Sequence, residues 1–207
     1  MPVAGIVLAG GRSSRMHSPK ALLDFRGAPF AVRILEALEA LDIKTRVVVL
    51  GPDAPRIRPV LAAHHCLIVE NPEPESGPIG SLRLALAALR PSRPGAALVW
   101  PVDLPHVQLT TVERLIEAYR RAVTPAAPAA VVPLFAGRRG HPVIWSAALF
   151  GELETSEVAA REGPRAVLHA HRSQVLTVPV EDPAVVDDLN TPEDYERLVR
   201  QINRDTY

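Results

Sequence analysis

Short apolar runs that alternate with amphipathic stretches constrain the fold of this chain more than any other feature. Each run has the length of a β-strand and is flanked by Gly, Pro or polar residues. The runs are residues 3–9, 46–50, 67–69, 96–102 and 129–134. Three stretches between them carry apolar side chains at helical spacing, namely residues 31–41, 79–89 and 111–123. Apolar strands separated by helices are typical of a mainly parallel sheet that helices cover on both faces, so the pattern predicts an α/β fold.

The last third of the chain is less regular. Residues 137–140 predict a turn, and the segments after it predict a strand at 142–145, helices near 147–153 and 164–171, and a strand at 175–179. A final helix is predicted from Pro192, with Thr191 as its N-cap. Because 207 residues suit one compact core, we expect a single domain over residues 1–207.

Charge and cysteine content narrow the functional classes. The chain has 23 basic and 23 acidic residues, so no global field draws it to nucleic acid or to an anionic membrane. The apolar N-terminal run is short and has no basic segment before it, so we expect neither a signal peptide nor a membrane anchor. Cys66, the single cysteine, cannot form an internal disulfide, and we expect a cytoplasmic protein. His64 and His65 precede it, but no second ligand pair stands at zinc-site spacing.

The loop after the first strand is the most informative segment. Gly10 and Gly11 let the backbone approach a ligand closely, and consecutive N–H groups there can bind phosphate oxygens. Arg12, Arg15 and Lys20 add cations that can neutralise a triphosphate. The loop matches neither the P-loop pattern nor the dinucleotide-binding GxGxxG pattern, which argues against those two classes.

This loop resembles the signature of MobA-like NTP transferases, L-A-[GA]-G-x-S-x-R-M-G-x-x-K. These are GT-A-like nucleotidyltransferases that include molybdenum cofactor guanylyltransferases and cytidylyltransferases and, more distantly, sugar-1-phosphate nucleotidyltransferases. The matching residues are Leu8, Ala9, Gly10, Gly11, Ser13, Arg15, Met16 and Lys20, and the chain departs from the pattern at His17. The resemblance implies one GT-A-like, Rossmann-like domain. It also implies nucleotide binding by residues 8–11 and Lys20, and catalytic roles for Arg15 and Lys20.

Two acidic segments are candidates for a metal site. Asp103 follows an apolar strand; by position alone a turn-capping role is the slightly better interpretation. The family carries D-x-P at this point, so the resemblance implies that Asp103 is catalytic and holds Mg²⁺ beside the nucleotide. Residues 188–194 resemble the family segment [DN]-x-[DN]-T-P-E-D, which implies that Asp188 or Asn190 completes the metal site. Both oxygen types suit a hard cation.

The substrates are less well defined. The resemblance implies that Asn71 and Gly80 lie near the nucleoside. Residues 77–80 resemble the guanylyltransferase branch, whereas residues 81–83 and 140–143 resemble the cytidylyltransferase branch, so GTP and CTP both stay open. On the acceptor side the resemblance implies His141, with Arg165 and either Arg138 or Arg139 as anion contacts. A lone histidine such as His141 is more often structural.

The expected reaction is Mg²⁺-dependent transfer of a nucleoside monophosphate to a phosphorylated acceptor, with release of pyrophosphate. Molybdopterin or its molybdenum form is the acceptor that the resemblance favours, and a molybdoenzyme would be the partner. Two alternatives stay open: a sugar-1-phosphate nucleotidyltransferase, and a non-catalytic relative that binds nucleotide or cofactor as a chaperone of a molybdoenzyme.

Overall fold

The computed structural model describes residues 2–11, 16, 18–122 and 127–205. The predicted catalytic Arg15 lies outside the described residues, as do Arg12, Ser13 and His17. Their predicted roles therefore stay predictions.

A single mixed sheet forms the centre of the molecule. Its main strands are β1 (Val3–Ala9), β4 (Arg46–Leu50), β5 (Leu67–Glu70), β6 (Ala96–Pro101), β7 (Ala130–Phe135), β9 (Val143–Ser146) and β10 (Val175–Pro179). The order across the sheet is β10-β7-β9-β6-β1-β4-β5. Strand β1 pairs in parallel with β4 and β6, and β9 alone among these strands runs against its neighbours. The predicted α/β class with a mainly parallel sheet is confirmed.

Helices cover both faces of the sheet. On one face lie α1 (Phe30–Ala40), α2 (Ala54–Leu61), α4 (Leu109–Arg121) and part of α8 (Pro192–Asp205). On the other lie α3 (Gly77–Leu89), α5 (Phe150–Thr155), α6 (Glu157–Glu162) and α7 (Arg165–Ala170). No helix in the described part of the chain is long and apolar enough to cross a bilayer.

Successive residues of β1 pack alternately against the helices on the two faces of the sheet. Val3 and Val7 pack with the α1 layer. Ala4 and Ile6 pack with the α3 layer. This alternation follows from the two-residue period of a strand, and burial on both faces explains why the sequence of β1 is apolar throughout.

The sheet has its topological switch point between β1 and β6. The chain moves from β1 outward to β4 and β5 and then returns to place β6 on the other side of β1. A cleft opens at such a point, beyond the carboxyl ends of the strands. The loops after β1 and β6 therefore meet there.

Several short elements escaped the sequence prediction. Strands β2 (Asp24–Phe25) and β3 (Ala28–Pro29) form a separate hairpin, and α2 lies where no helix was predicted. Arg138–Arg139 forms β8, which pairs with β7, so the predicted turn over residues 137–140 is wrong at these two positions. Two-residue strands carry too little periodicity to be recognised.

A close backbone approach joins the ends of β1 and β4. A Cβ atom at Gly51 would overlap the carbonyl oxygen of Gly10. We expect Gly51→Ala to lower the free energy of unfolding by about 1–3 kcal/mol in urea denaturation, because neither backbone can move without disturbing the sheet. The matched control is Gly151→Ala in α5, where nothing lies within 4 Å of the added methyl group. An unchanged stability of Gly51→Ala would contradict this packing.

Candidate active site

A cavity of about 1060 Å³ opens at the carboxyl edge of the sheet. Residues predicted for the site line it, among them Leu8, Ala9, Gly10, Gly11, Lys20, Asp103, Arg139, His141, Arg165 and Asn190. The cavity lies at the upper end of the size range of small-molecule sites, so it has room for two ligands side by side.

Three of these side chains meet at one point. The Lys20 ammonium lies 3.2 Å from Asp103 Oδ2 and 2.7 Å from Asn190 Oδ1. The contacts join residues that are 83 and 170 positions apart in sequence. Side chains of Lys20 and Asp103 keep 14% and 26% of their exposure, so the ion pair is largely shielded from water.

The two loops that carry Lys20 and Asp103 are fixed by neighbouring buried groups. Lys20 begins a short 3-10 helix, Lys20–Leu22, whose Ala21 is buried in the core. The Asp103 turn is held by Trp100, a fully buried residue whose indole N–H donates to the carbonyl of Leu104 at 2.9 Å. A neighbouring contact with the core therefore anchors the backbone at Lys20 and at Asp103.

The segment before α8 supplies Asn190, the third of the side chains that meet in the cavity. Leu189 is fully buried and anchors it, and the side-chain amide of Asn190 donates to the carboxylate of Asp188. Asp188 is exposed and does not line the cavity. Of the two predicted ligands in this segment, Asn190 therefore lies beside Asp103 and Asp188 lies behind it.

No group of three His, Cys, Asp or Glu side chains able to hold a metal occurs among the described residues. A metal at this point would depend on one carboxylate and one amide oxygen from the protein, with further ligands from substrate and water. That is the manner in which Mg²⁺ usually binds at phosphate sites.

Asn71 and Gly80, predicted near the nucleoside, lie behind the cavity wall rather than in it. The Asn71 amide is buried; it donates to Ser81 Oγ at 3.0 Å and accepts from the Glu73 amide at 2.9 Å. A Cβ at Gly10 would lie 2.6 Å from the same Ser81 Oγ. Asn71 thus supports the wall against which the glycine loop packs, and its contact with a nucleoside stays a prediction.

The far half of the cavity combines apolar and cationic residues. Its walls include Val143, Trp145 and Leu168, with Arg161 and Arg165 from the helices α6 and α7. Arg139 lines the cavity, whereas the Arg138 guanidinium contacts the carbonyl of Val186 at 3.5 Å outside it. Of the two arginines left open by the sequence, Arg139 alone faces the cavity.

Sequence reasoning missed the function of Arg83. Its guanidinium donates to the carbonyls of Leu153 and Ser156 at 3.0 and 2.7 Å. Arg83 therefore fastens α3 to the start of α6, which forms part of the cavity wall. Residues 81–83, which include Arg83, resemble the cytidylyltransferase branch. No local pattern distinguishes a role in base selection from this structural role of Arg83.

A family model described as the MobA-like NTP transferase domain matches residues 5–175, most of the chain. The chain belongs to this family. It is a nucleotidyltransferase, and a nucleoside triphosphate is its substrate.

Two curated relatives match this MobA-like chain over nearly its whole length. One is the nicotine blue oxidoreductase of Paenarthrobacter nicotinovorans, 31% identical over 95% of this chain and 96% of the relative. The other is the molybdenum cofactor guanylyltransferase of Xanthomonas euvesicatoria, 27% identical over 97% of this chain and 96% of the relative.

Solved structures of Rv0371c from Mycobacterium tuberculosis are also similar. One is 30% identical with a TM-score of 0.80 and covers 97% of this chain and 98% of that one. A complex of Rv0371c with manganese is 27% identical with a TM-score of 0.74, over 97% and 99% of the two chains.

His141 has an environment that keeps its imidazole neutral. Its surface is open to the cavity, yet protein surrounds it on most sides. This desolvation lowers the pKa of His141 below its usual 6.5, and the nearby charge of Asp103 raises the pKa part of the way back.

We therefore expect an NMR titration of His141 with a midpoint below 6.5. Asp103→Asn removes the charge that raises the pKa, so the midpoint in that variant falls further. Because unfolded His141 binds protons more readily, its contribution to folding becomes unfavourable as the pH falls through 6.5. A midpoint that rises in Asp103→Asn would contradict this account.

Proposed function

We propose that this chain transfers the nucleoside monophosphate of GTP or CTP to a phosphorylated acceptor and releases pyrophosphate. The observation that carries the proposal is the contact of Lys20 with both Asp103 and Asn190 in a cavity with room for two ligands. In-line displacement at a phosphorus atom needs no protein nucleophile; it needs positioned charge.

In this proposal the glycine loop binds the triphosphate. Nothing lies within 4 Å of a Cβ atom placed on Gly11, so phosphate oxygens can approach its backbone amide. Lys20 is close enough to follow the phosphates as charge develops on them. Arg15, which belongs to the same loop, is proposed as the second catalytic cation on the resemblance of the loop alone.

The residues present fit a divalent metal ion. Asp103 and Asn190 already share one cation, the ammonium of Lys20, at hydrogen-bonding distance. Carboxylate and amide oxygens are the ligands that Mg²⁺ prefers, and a related structure was solved with manganese. We assign Asp103 and Asn190 as ligands of Mg²⁺, with Asp188 behind Asn190 as a supporting carboxylate. The bound metal would supply Lewis-acid polarisation of a phosphate oxygen.

The far half of the cavity is proposed to bind the acceptor. Its apolar walls suit a flat ring, while Arg165 and neutral His141 suit an anionic group and a hydrogen-bond acceptor. Molybdopterin, or its molybdenum form, has both features, and the name of the Xanthomonas relative supports this choice. A molybdoenzyme that receives the product would be the partner.

The first test removes the charge of Asp103 while keeping the shape of the side chain. We expect Asp103→Asn to lower Mg²⁺-dependent pyrophosphate release by roughly 100-fold or more, because a preorganised charge at the reacting phosphate is lost. Thermal unfolding should change little. The control is Asp42→Asn, which removes an exposed carboxylate that pairs with Lys44 on the surface. Retention of Mg²⁺-dependent turnover in Asp103→Asn would contradict the assignment of Asp103 as a metal ligand.

The second test concerns Lys20 as a competitor of the metal. Its ammonium occupies the oxygens that the metal would use, so Lys20→Met should bind Mn²⁺ more tightly than the unaltered protein without nucleotide. The same variant should lose activity, because the triphosphate loses its cation. Manganese EPR titration measures the affinity, and Lys44→Met on the surface is the control. A lower Mn²⁺ affinity in Lys20→Met would contradict the competition.

Substrate choice is tested by one assay that measures pyrophosphate release from GTP or CTP with molybdopterin or with sugar 1-phosphates. Release with a sugar 1-phosphate alone would move the proposal to the sugar-nucleotide branch. Nucleotide binding without any release would favour a chaperone.

One observation favours a second candidate activity. The relative from Paenarthrobacter nicotinovorans matches 95% of this chain and is named an oxidoreductase. The apolar half of the cavity, with Trp145, could hold an aromatic substrate. Redox turnover of nicotine blue, without pyrophosphate release from GTP or CTP, would establish this alternative.

A further inference from the structure

Behind the proposed metal ligands, four polar side chains connect the loop after β6 with the start of α8. They are His106, Asp187, Arg197 and Asp194, which we call the rear network. The first belongs to the loop that carries Asp103, and the other three belong to the segment that carries Asn190 or to the helix after it. None of the four lines the cavity.

The contacts of the rear network are continuous. His106 Nε2 lies 3.1 Å from Asp187 Oδ2. Arg197 then donates to Asp187 Oδ1 at 3.0 Å and, through its other terminal nitrogen, to Asp194 Oδ1 at 2.8 Å. One planar guanidinium binds both carboxylates. It therefore fixes the distance between them and favours their ionised forms.

Asp194, which Arg197 holds in place, also binds the backbone of Asn190, the proposed metal ligand. Its second oxygen, Oδ2, accepts from the backbone amides of Asn190 and Thr191 at 3.1 and 3.0 Å and from the Thr191 hydroxyl at 2.9 Å. The Thr191 hydroxyl in turn accepts from the Asp194 amide at 3.3 Å, which is a capping-box arrangement. The backbone of Asn190 is thus held by a carboxylate that Arg197 orients.

His106 connects the rear network to the loop that carries Asp103. Its side chain keeps only 10% of its exposure and packs edge-on against Phe25, with ring centroids 6.3 Å apart. Its Nδ1 is buried without a hydrogen-bond partner among the described residues, a cost that the packing and the contact with Asp187 must offset. The ring therefore has little freedom to turn.

The carboxylates of the network are ionised at neutral pH. Hydrogen bonds, first from the Thr191 side chain, lower the pKa of Asp194 to about 2, and the hydrogen bond with His106 is the main cause that lowers the pKa of Asp187. Isolated exposed ion pairs contribute little to stability. The value of this network lies in geometry, because it ties two segments whose separation sets the distance between Asp103 and Asn190.

We propose that the rear network positions Asn190 opposite Asp103, and that Arg197 is its central positioning residue. The inference rests on the proposed function, in which these two side chains hold the metal. Residues of this kind behind a metal site typically change metal affinity by about 10–100-fold when they are removed.

The experiment measures Mn²⁺ affinity by EPR in the full-length protein. Arg197→Ala should weaken Mn²⁺ binding about 10-fold or more. The matched control is Arg200→Ala, one turn further along α8, where the guanidinium pairs with Glu196 at 3.5 Å and lies away from the site. Arg197→Lys should stay several-fold weaker than the unaltered protein, because one ammonium cannot replace the planar fork.

A second readout does not involve metal. The amide of Asn190, held by Asp194, should exchange hydrogen faster in Arg197→Ala and in Asp187→Asn, whereas amides in the middle of β1 should not. Unchanged Mn²⁺ affinity and unchanged exchange in Arg197→Ala, or full rescue by Arg197→Lys, overturn the inference while leaving the metal site intact. Failure of the unaltered protein to bind Mn²⁺ overturns the proposed metal site and this inference with it.

Discussion

The central position of β1 is the constraint on which the rest of the structure depends. Because β1 is buried on both faces and paired on both sides, its carboxyl end has a fixed place at the switch point of the sheet. The chain leaves that point through Gly10, whose carbonyl packs against Gly51 and whose Cα lies beside Ser81. A Cβ atom on Gly10 would lie 2.6 Å from Ser81 Oγ, so a glycine fits there without displacing that hydroxyl.

The Lys20 contact shows how such a cleft can hold acidic and amide groups together before any ligand arrives. Asp103 alone in a shielded position would be costly, since a partly buried charge needs a partner. Lys20 is that partner at 3.2 Å, and its ammonium also donates to Asn190 Oδ1. The same cation that stabilises the carboxylate thereby occupies the oxygens that a divalent ion would use. If a divalent ion binds here as proposed, it competes with Lys20 for these oxygens, and a bound triphosphate would reduce the competition by attracting the ammonium.

The sequence predicted most of what local periodicity and strand ends determine. Strands β1 and β4 have the predicted bounds. Asp103 is predicted at the site because it follows a strand, whereas Asn190 is predicted there through the resemblance of residues 188–194 to the family segment; the two side chains share the Lys20 ammonium. Long-range side-chain contacts were beyond reach. Arg83 binds carbonyls about 70 residues away, and no feature of residues 81–83 encodes that partner. The same holds for His106 with Asp187, 81 positions apart. The contact of the Asn71 amide with Ser81 is likewise not predictable, because a polar residue at a strand end does not show which way its side chain turns.

The division of the site along the chain bears on how members of this family can differ in activity. The family model covers residues 5–175, which include the glycine loop, Lys20, Asp103, His141 and Arg165. Asn190 and three members of the rear network lie beyond that range, in a segment held to the body mainly by Leu189, by Asp187 and by α8. A change in this segment can therefore alter the position of Asn190, a proposed metal ligand, without altering the buried strands of the sheet. Relatives with full-length similarity and names as different as a guanylyltransferase and an oxidoreductase are consistent with one scaffold whose activity depends on the residues placed around the cleft.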